Sequence, residues 1–294
     1  MNLKTLSAVA AVLALAGLTG AAAANAVPGT VSGNGGNRIG VLRANGDAYV
    51  KEGGLGARWV KGSGGIKQVV LSGKRIGVLT GDGTAWVKEG GLGARWVRES
   101  DDVKQIALAG NRIGVLKDNG DAYVKEGGLR ASWVHESVKV KELELSGNRI
   151  GVVTGDGAVW VKEGGLSARW VKESGNVIGL DLAGNRIGVL TSDGVAWVKE
   201  GGLGAKWVRE HNDGIQLELS GNRIGVLTDR GDAYVKEGGL GARWVHEYTH
   251  TIQIALSGKR IGVLKGDGEA RVKGGGLGAT WVLEARSVTE LALS

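Results

Sequence analysis

Along "NRIGVLTSDGVAWVKEGGLGAKWVREHNDGIQLELS" (residues 185–220), apolar and polar positions alternate in four short runs. The runs fall at 186–190, 195–200, 205–210 and 215–220. Val, Ile, Trp and Tyr are enriched in them, the period is two, and glycine-containing turns separate them. Such runs predict β-strands, and nothing in the stretch has the 3.6-residue period of a helix. The same pattern starts at Asn37, Lys74, Asn111, Asn148, Asn185, Asn222 and Lys259, always 37 residues apart. The chain is therefore seven copies of one four-stranded unit.

The turns set the expected pairing. Asn45-Gly46, Asp82-Gly83, Asn119-Gly120, Asp156-Gly157, Asp193-Gly194 and Asp267-Gly268 lie between first and second strands, with Arg230-Gly231 in the sixth repeat. Asn-Gly and Asp-Gly favour a two-residue type I′ hairpin, and a Gly-led pair such as Gly184-Asn185 suits type II′. That register puts Ile187, Val189, Ala196, Val198, Leu217 and Leu219 on apolar faces. Arg186, Gly188, Leu190, Trp197 and Lys199 fall on the opposite face, with Gly188 leaving room across from Lys199.

The length of each link locates the blade boundary. Outer and inner strands of a four-stranded sheet lie about 14 Å apart. A two-residue link spans roughly 7 Å and cannot make that crossing. The segment after the third strand, such as 98–104, can. Each sheet then joins the fourth strand of one repeat to the first three of the next. The expected fold is all-β, a seven-bladed β-propeller of four-stranded blades over residues 37–294. Residues 287–294 close it as the innermost strand of the blade built from 38–61.

The first 24 residues differ: Lys4, an apolar run from Leu6 to Leu18, then small residues. They read as a secretory signal peptide cleaved after Ala24 or Ala26, with 25–36 as a lead-in, so a secreted protein is expected. No cysteine is present, so packing alone holds the chain. The net charge of +7 is spread over the repeats and interleaved with Glu, which argues against a nucleic-acid partner. The one apolar run is too short for membrane insertion.

The order of apolar inner strand, Ser-Gly, "RIGVL", Asp-Gly, "AWVKEG" and "ARWV" resembles the tectonin and tachylectin-2 type of propeller lectins, including bacterial seven-bladed lectins. The resemblance covers residues 37–294, and "RIGVL" lacks the aromatic usual at that strand. It implies a multivalent carbohydrate-binding protein with a site at each blade or blade interface and no cofactor. The glycans it implies are of the fucose, methylated-sugar or N-acetylglucosamine type.

Two aromatic rings recur. Trp59, Trp96, Trp133, Trp170, Trp207, Trp244 and Trp281 occur in every repeat and read as packing wedges between blades. The second-strand position varies among Tyr49, Trp86, Tyr123, Trp160, Trp197, Tyr234 and Arg271, as an exposed platform would. Lys51, Lys88, Lys125, Lys162, Lys199, Lys236 and Lys273 follow it by two residues. Glu52, Glu89, Glu126, Glu163, Glu200 and Glu237 come next, replaced by Gly274 in the seventh repeat. Aromatic, Lys and Glu of six repeats form the candidate carbohydrate sites, since a sugar needs an apolar platform and charged hydrogen-bonding groups. The competing reading makes Lys, Glu and residues such as Arg186 into ion-pair rings between blades. With Arg271 and Gly274 silent, about six sites are expected.

Catalysis is not expected. His135, His211, His246 and His250 read as exposed linker residues, and no nucleophile elbow or metal-spaced His pair occurs. Near-equal repeats offer no asymmetric carboxylate pair for glycoside hydrolysis. The alternative to a lectin is a secreted propeller scaffold for protein–protein interaction without sugar binding.

Overall fold

The computed structural model describes residues 37–258 and 260–294. The predicted signal peptide and lead-in lie outside the described residues. Among them, twenty-eight strands are numbered β1 to β28 in chain order. Strands β1 (Arg38–Arg43), β2 (Ala48–Glu52) and β3 (Val60–Ser63) follow one another in the first sheet, and β28 (Val288–Leu293) pairs with β1 on its inner side. The second sheet is β4 (Ile66–Ser72), β5 (Arg75–Thr80), β6 (Ala85–Glu89) and β7 (Val97–Ser100), and five further sheets repeat it. Inner strands of successive sheets touch around a closed ring, making a seven-bladed β-propeller. The boundary and closure match the sequence expectation.

Between inner and first strands, Ser220 pairs with Arg223 across Gly221-Asn222. Gly221 has φ +56° and Asn222 is not among the positive-φ residues, as type II′ requires. The other turn departs from expectation. Leu190 pairs with Ala196, and Thr191 N–H bonds to the Val195 carbonyl at 3.0 Å. Three residues, not two, form the loop, and Gly194 at φ +81° takes the left-handed position.

That single residue flips one strand's faces. Ile187 and Val189 share a face with Trp197 and Lys199, not with Ala196 and Val198. Gly188 lies across from Val198, and the room above it is filled: a Cβ there would come within 2.7 Å of Leu217 Cδ2 from the next blade. Ala196, Val198 and Leu190 of blade 5 pack against Leu217, Leu219 and Ile224 of blade 6, and this inter-blade layer is the core. Side chains from inner strands also stitch the ring. Gln105 of β8 (Val103–Ala109) accepts from Leu143 N–H at 2.9 Å and donates to its carbonyl at 3.0 Å.

Candidate functional site

Each seam between blades is assembled from recurring parts. At the seam of blades 2 and 3, Lys125 is 3% exposed. Its ammonium donates to the Glu99 carboxylate of the preceding blade and to the Leu129 carbonyl, and lies 4.8 Å from the Trp133 ring centroid. Lys51–Glu284, Lys162–Glu136, Lys199–Glu173, Lys236–Glu210 and Lys273–Glu247 repeat the pair. An irregularity in the outer-strand pairing makes this possible. Ala85 pairs with Ser100 and Trp86 with Arg98, so Glu99 is the extra residue and both Glu99 and Ser100 serve the following seam.

The Glu that follows each Lys goes the other way. Arg112 is in register with Glu126, and Ile113 with Lys125, so neighbouring Lys and Glu occupy opposite sheet faces. Arg38, Arg75, Arg112, Arg149, Arg186 and Arg223 are buried against Glu52, Glu89, Glu126, Glu163, Glu200 and Glu237. Each Arg also donates to a glycine carbonyl of the next blade, as Arg38 does to Gly90. The predicted trio is therefore divided. Aromatic and Lys face the preceding seam, Glu faces the following one, and the Lys ammonium lies inside the wall. The outer-strand carboxylates were absent from the sequence-derived candidates; their recurrence every 37 residues is the signal that marks them.

What the seams leave half-exposed is aromatic. Trp86 and Trp96 pack on one cluster at the seam of blades 1 and 2, as Tyr123 and Trp133 do at the seam of blades 2 and 3 and Trp160 and Trp170 at the seam of blades 3 and 4. At the seam of blades 5 and 6, the His211 ring lies 5.2 Å from Tyr234 and 5.3 Å from Trp244. The two aromatics of a blade thus flank one point, and one residue of the preceding blade faces it. That residue is Ser63, Ser100, Ser137 or Ser174 at four seams, Ala285 at the closing seam and Tyr248 before blade 7, where its ring meets Trp281 at 5.2 Å. Lys61, Arg98, His135, Lys172, Arg209 and His246 stand beside the second-strand aromatics in register. His135, His211 and His246 are therefore on outer strands rather than in linkers, and His135 and His246 occupy the same repeat position. His250 sits in the turn to the next inner strand at φ +53°. Among the described residues, no group of three or more His, Asp or Glu is arranged to hold a metal ion.

Two seams break the pattern, one on each side of blade 1. Gly62 stands where the other outer strands carry Glu, and Lys88 keeps the Leu92 carbonyl and the Trp96 face, 4.7 Å away, but no carboxylate among the described residues. Burial, with repulsion from Arg38, holds the Lys88 ammonium below its ordinary value. At the other seam Gly274 replaces the Glu partner of Arg260, whose guanidinium donates to Gly53.

Acidic groups also enter the inner ring. Glu142 and Glu290 take the place of Gln105 and Gln253, accepting from Leu180 and Val69 N–H at 3.2 Å. Burial pushes both carboxyls up to about 8. Glu144 is raised well above the usual range by burial and by the charges of Glu142, Asp181 and Glu218.

No family model matches the chain, and no curated protein matches it. Solved propellers do. PorZ, a bacterial surface component of the type-IX secretion system of Porphyromonas gingivalis, gives a TM-score of 0.64 at 13% identity over 88% of this chain. This chain spans 38% of that one. Human WBSCR16 gives 0.62 at 13% identity, covering 76% of this chain and 83% of its own. Yeast RCC1 (Prp20), bound there to Kap60, gives 0.59 at 12% identity over 71% and 70%. At these identities the likeness is one of fold alone: the chain is a seven-bladed β-propeller.

Proposed function

We propose that the protein is a secreted, multivalent carbohydrate-binding protein whose sites are the outer grooves between blades. The observation that carries this reading is the recurring pair of half-exposed aromatics with a small residue opposite. Such a gap admits a pyranose, whose apolar C–H face stacks on Trp or Tyr while rim groups reach its hydroxyls. Trp86 with Trp96, Tyr123 with Trp133, Trp160 with Trp170, and Trp197 with Trp207 frame four grooves, and Tyr49 with Trp59 frames a fifth, where the Arg43 guanidinium lies 4.6 Å over the Tyr49 ring. His211 and Tyr248 fill the other two, which lowers the expected count from six sites to five. In this reading the buried Lys and its Glu neighbour hold the walls, and Ser63, Arg98, Ser100, His135, Ser137, Lys172, Ser174 and Arg209 supply hydrogen bonds. Linked weak sites gain about 10²–10⁴ in avidity on clustered glycans.

A glycan array tests the proposal. Binding to clustered glycans is expected, and Trp86→Ala, Trp160→Ala and Trp197→Ala together should weaken it at least tenfold. The fold should survive, because this position already accepts Tyr and Arg. Absence of binding to every glycan at high protein concentration would favour the interaction scaffold instead.

A further inference from the structure

Six of the seven seams bury a Lys against a carboxylate that reaches it on a two-carbon arm from the preceding blade. The seam of blades 1 and 2 has every other part. Lys88 is 5% exposed, Trp96 presents its ring to the ammonium, and Leu92 accepts one hydrogen bond. Only the arm is missing, because residue 62 is Gly. A narrow cleft occupies this place, lined by Gly62, Val60, Lys88, Leu92 and Trp96. Its walls are almost wholly apolar, with the Lys88 ammonium as its charged group. The charges differ as well. Each intact seam sets one Arg and one Lys against two Glu, whereas here Arg38 and Lys88 face Glu52 alone.

We propose that this cleft is a binding site for a small monocarboxylate with a short apolar stem, of the size and shape of propionate. The ligand carboxylate takes the position that Glu99, Glu136 and their equivalents hold at the other seams. It accepts hydrogen bonds from the Lys88 ammonium, and its stem lies along Val60 and Trp96. A buried ammonium without a counter-charge is costly, so a carboxylate that fits the cleft gains a charge-assisted hydrogen bond in low-dielectric surroundings. A halide fits the charge but leaves the apolar stem space empty. A branched or longer acid exceeds the width of a Glu arm. This site shares Trp96 with the proposed sugar groove of blades 1 and 2, but it rests on a missing Glu arm and an ammonium that the sugar reading does not use.

The test is thermal unfolding of the full chain at pH 7 with sodium propionate, against sodium chloride at equal ionic strength. Propionate at ten times its dissociation constant should raise the Tm by about 2–4 °C. Gly62→Glu supplies the missing arm within the chain. A Cβ at Gly62 meets only ordinary contacts, 3.5 Å from the Ala48 carbonyl oxygen and 3.9 Å from Trp96. That variant should start with a higher Tm and lose the propionate response. Lys88→Met should also lose the response, whatever its own stability. Isothermal titration with propionate should give one site in the unmodified protein and none in either variant. Equal shifts in all three proteins, a chloride shift equal to that of propionate, or no wild-type response up to 100-fold excess over protein would overturn the assignment.

Discussion

Gly188 of blade 5 and Leu217 of blade 6 meet so closely that a Cβ on the glycine would come within 2.7 Å of the leucine Cδ2. Gly114, Gly151, Gly225 and Gly262 make the equivalent approach at 2.7–2.9 Å, and Gly77 makes it at 3.0 Å from Ile106 Cδ1. Gly40 is looser, with Leu71 Cδ1 at 3.3 Å. Gly188→Ala should therefore destabilise by about 1–3 kcal/mol through overpacking, and Gly40→Ala by less than about 1 kcal/mol. Urea denaturation of both variants checks the order. Equal costs would mean that blade spacing is not set by this contact.

The absent ion pair at Gly274 gives a second expectation. The position is open, with no heavy atom within 4 Å of an added Cβ and no positive φ. Gly274→Glu should pair with Arg260 as Glu52 pairs with Arg38, stabilising by about 0.5–1 kcal/mol, the upper range for half-exposed pairs. A rise in Tm that disappears in the Arg260→Met background would verify the pair; a fall in Tm would contradict it.

Stability should depend on pH through the inner ring. In the fold, Glu142 and Glu290 are raised to about 8, against about 4.3 for an unfolded Glu. A raised pKa means that the folded chain holds protons the unfolded chain releases. Their contribution is complete below about pH 4.3 and is lost as pH climbs through about 8. Protonated, each carboxyl mimics the Gln found at this position in four other blades. Glu142→Gln with Glu290→Gln should flatten the decline between pH 5 and 9 and raise stability at pH 9. Urea midpoints at pH 5, 7 and 9 read this directly, and an unchanged slope would count against it.

Closure depends on β28, which pairs with β1 from Ile39–Leu293 to Arg43–Val288 and buries Leu291 and Leu293. Deleting residues 288–294 should abolish the cooperative unfolding transition. A truncated protein that keeps its full Tm would show that blade 1 closes in some other way.

The strand count, blade boundary and closure were legible because the 37-residue period and the Gly-led inner turn leave one way to span each sheet. The faces were not. Asp193-Gly194 fits a two-residue type I′ turn as well as a three-residue loop whose Gly alone is left-handed, and the difference is one residue of register. Lys199 was misleading for another reason. Lysine is rarely buried without a partner, and its partner Glu173 lies 26 residues earlier, in the preceding blade. The two recurring aromatic rings were legible, but the outer-strand Trp ring read only as packing wedges, not as one wall of a groove. Their convergence on the residue after the buried Glu depends on an outer-strand irregularity that no local motif announces.

The proposed sugar sites are the grooves between blades in which the residue opposite the aromatic pair is small. Calorimetric titration with a monovalent sugar from the array should saturate at five sites per chain. Ser174→His, placing an imidazole between Trp197 and Trp207, should lower that number to four, and His211→Ser should raise it to six. A stoichiometry unmoved by both substitutions in folded protein would contradict the claim.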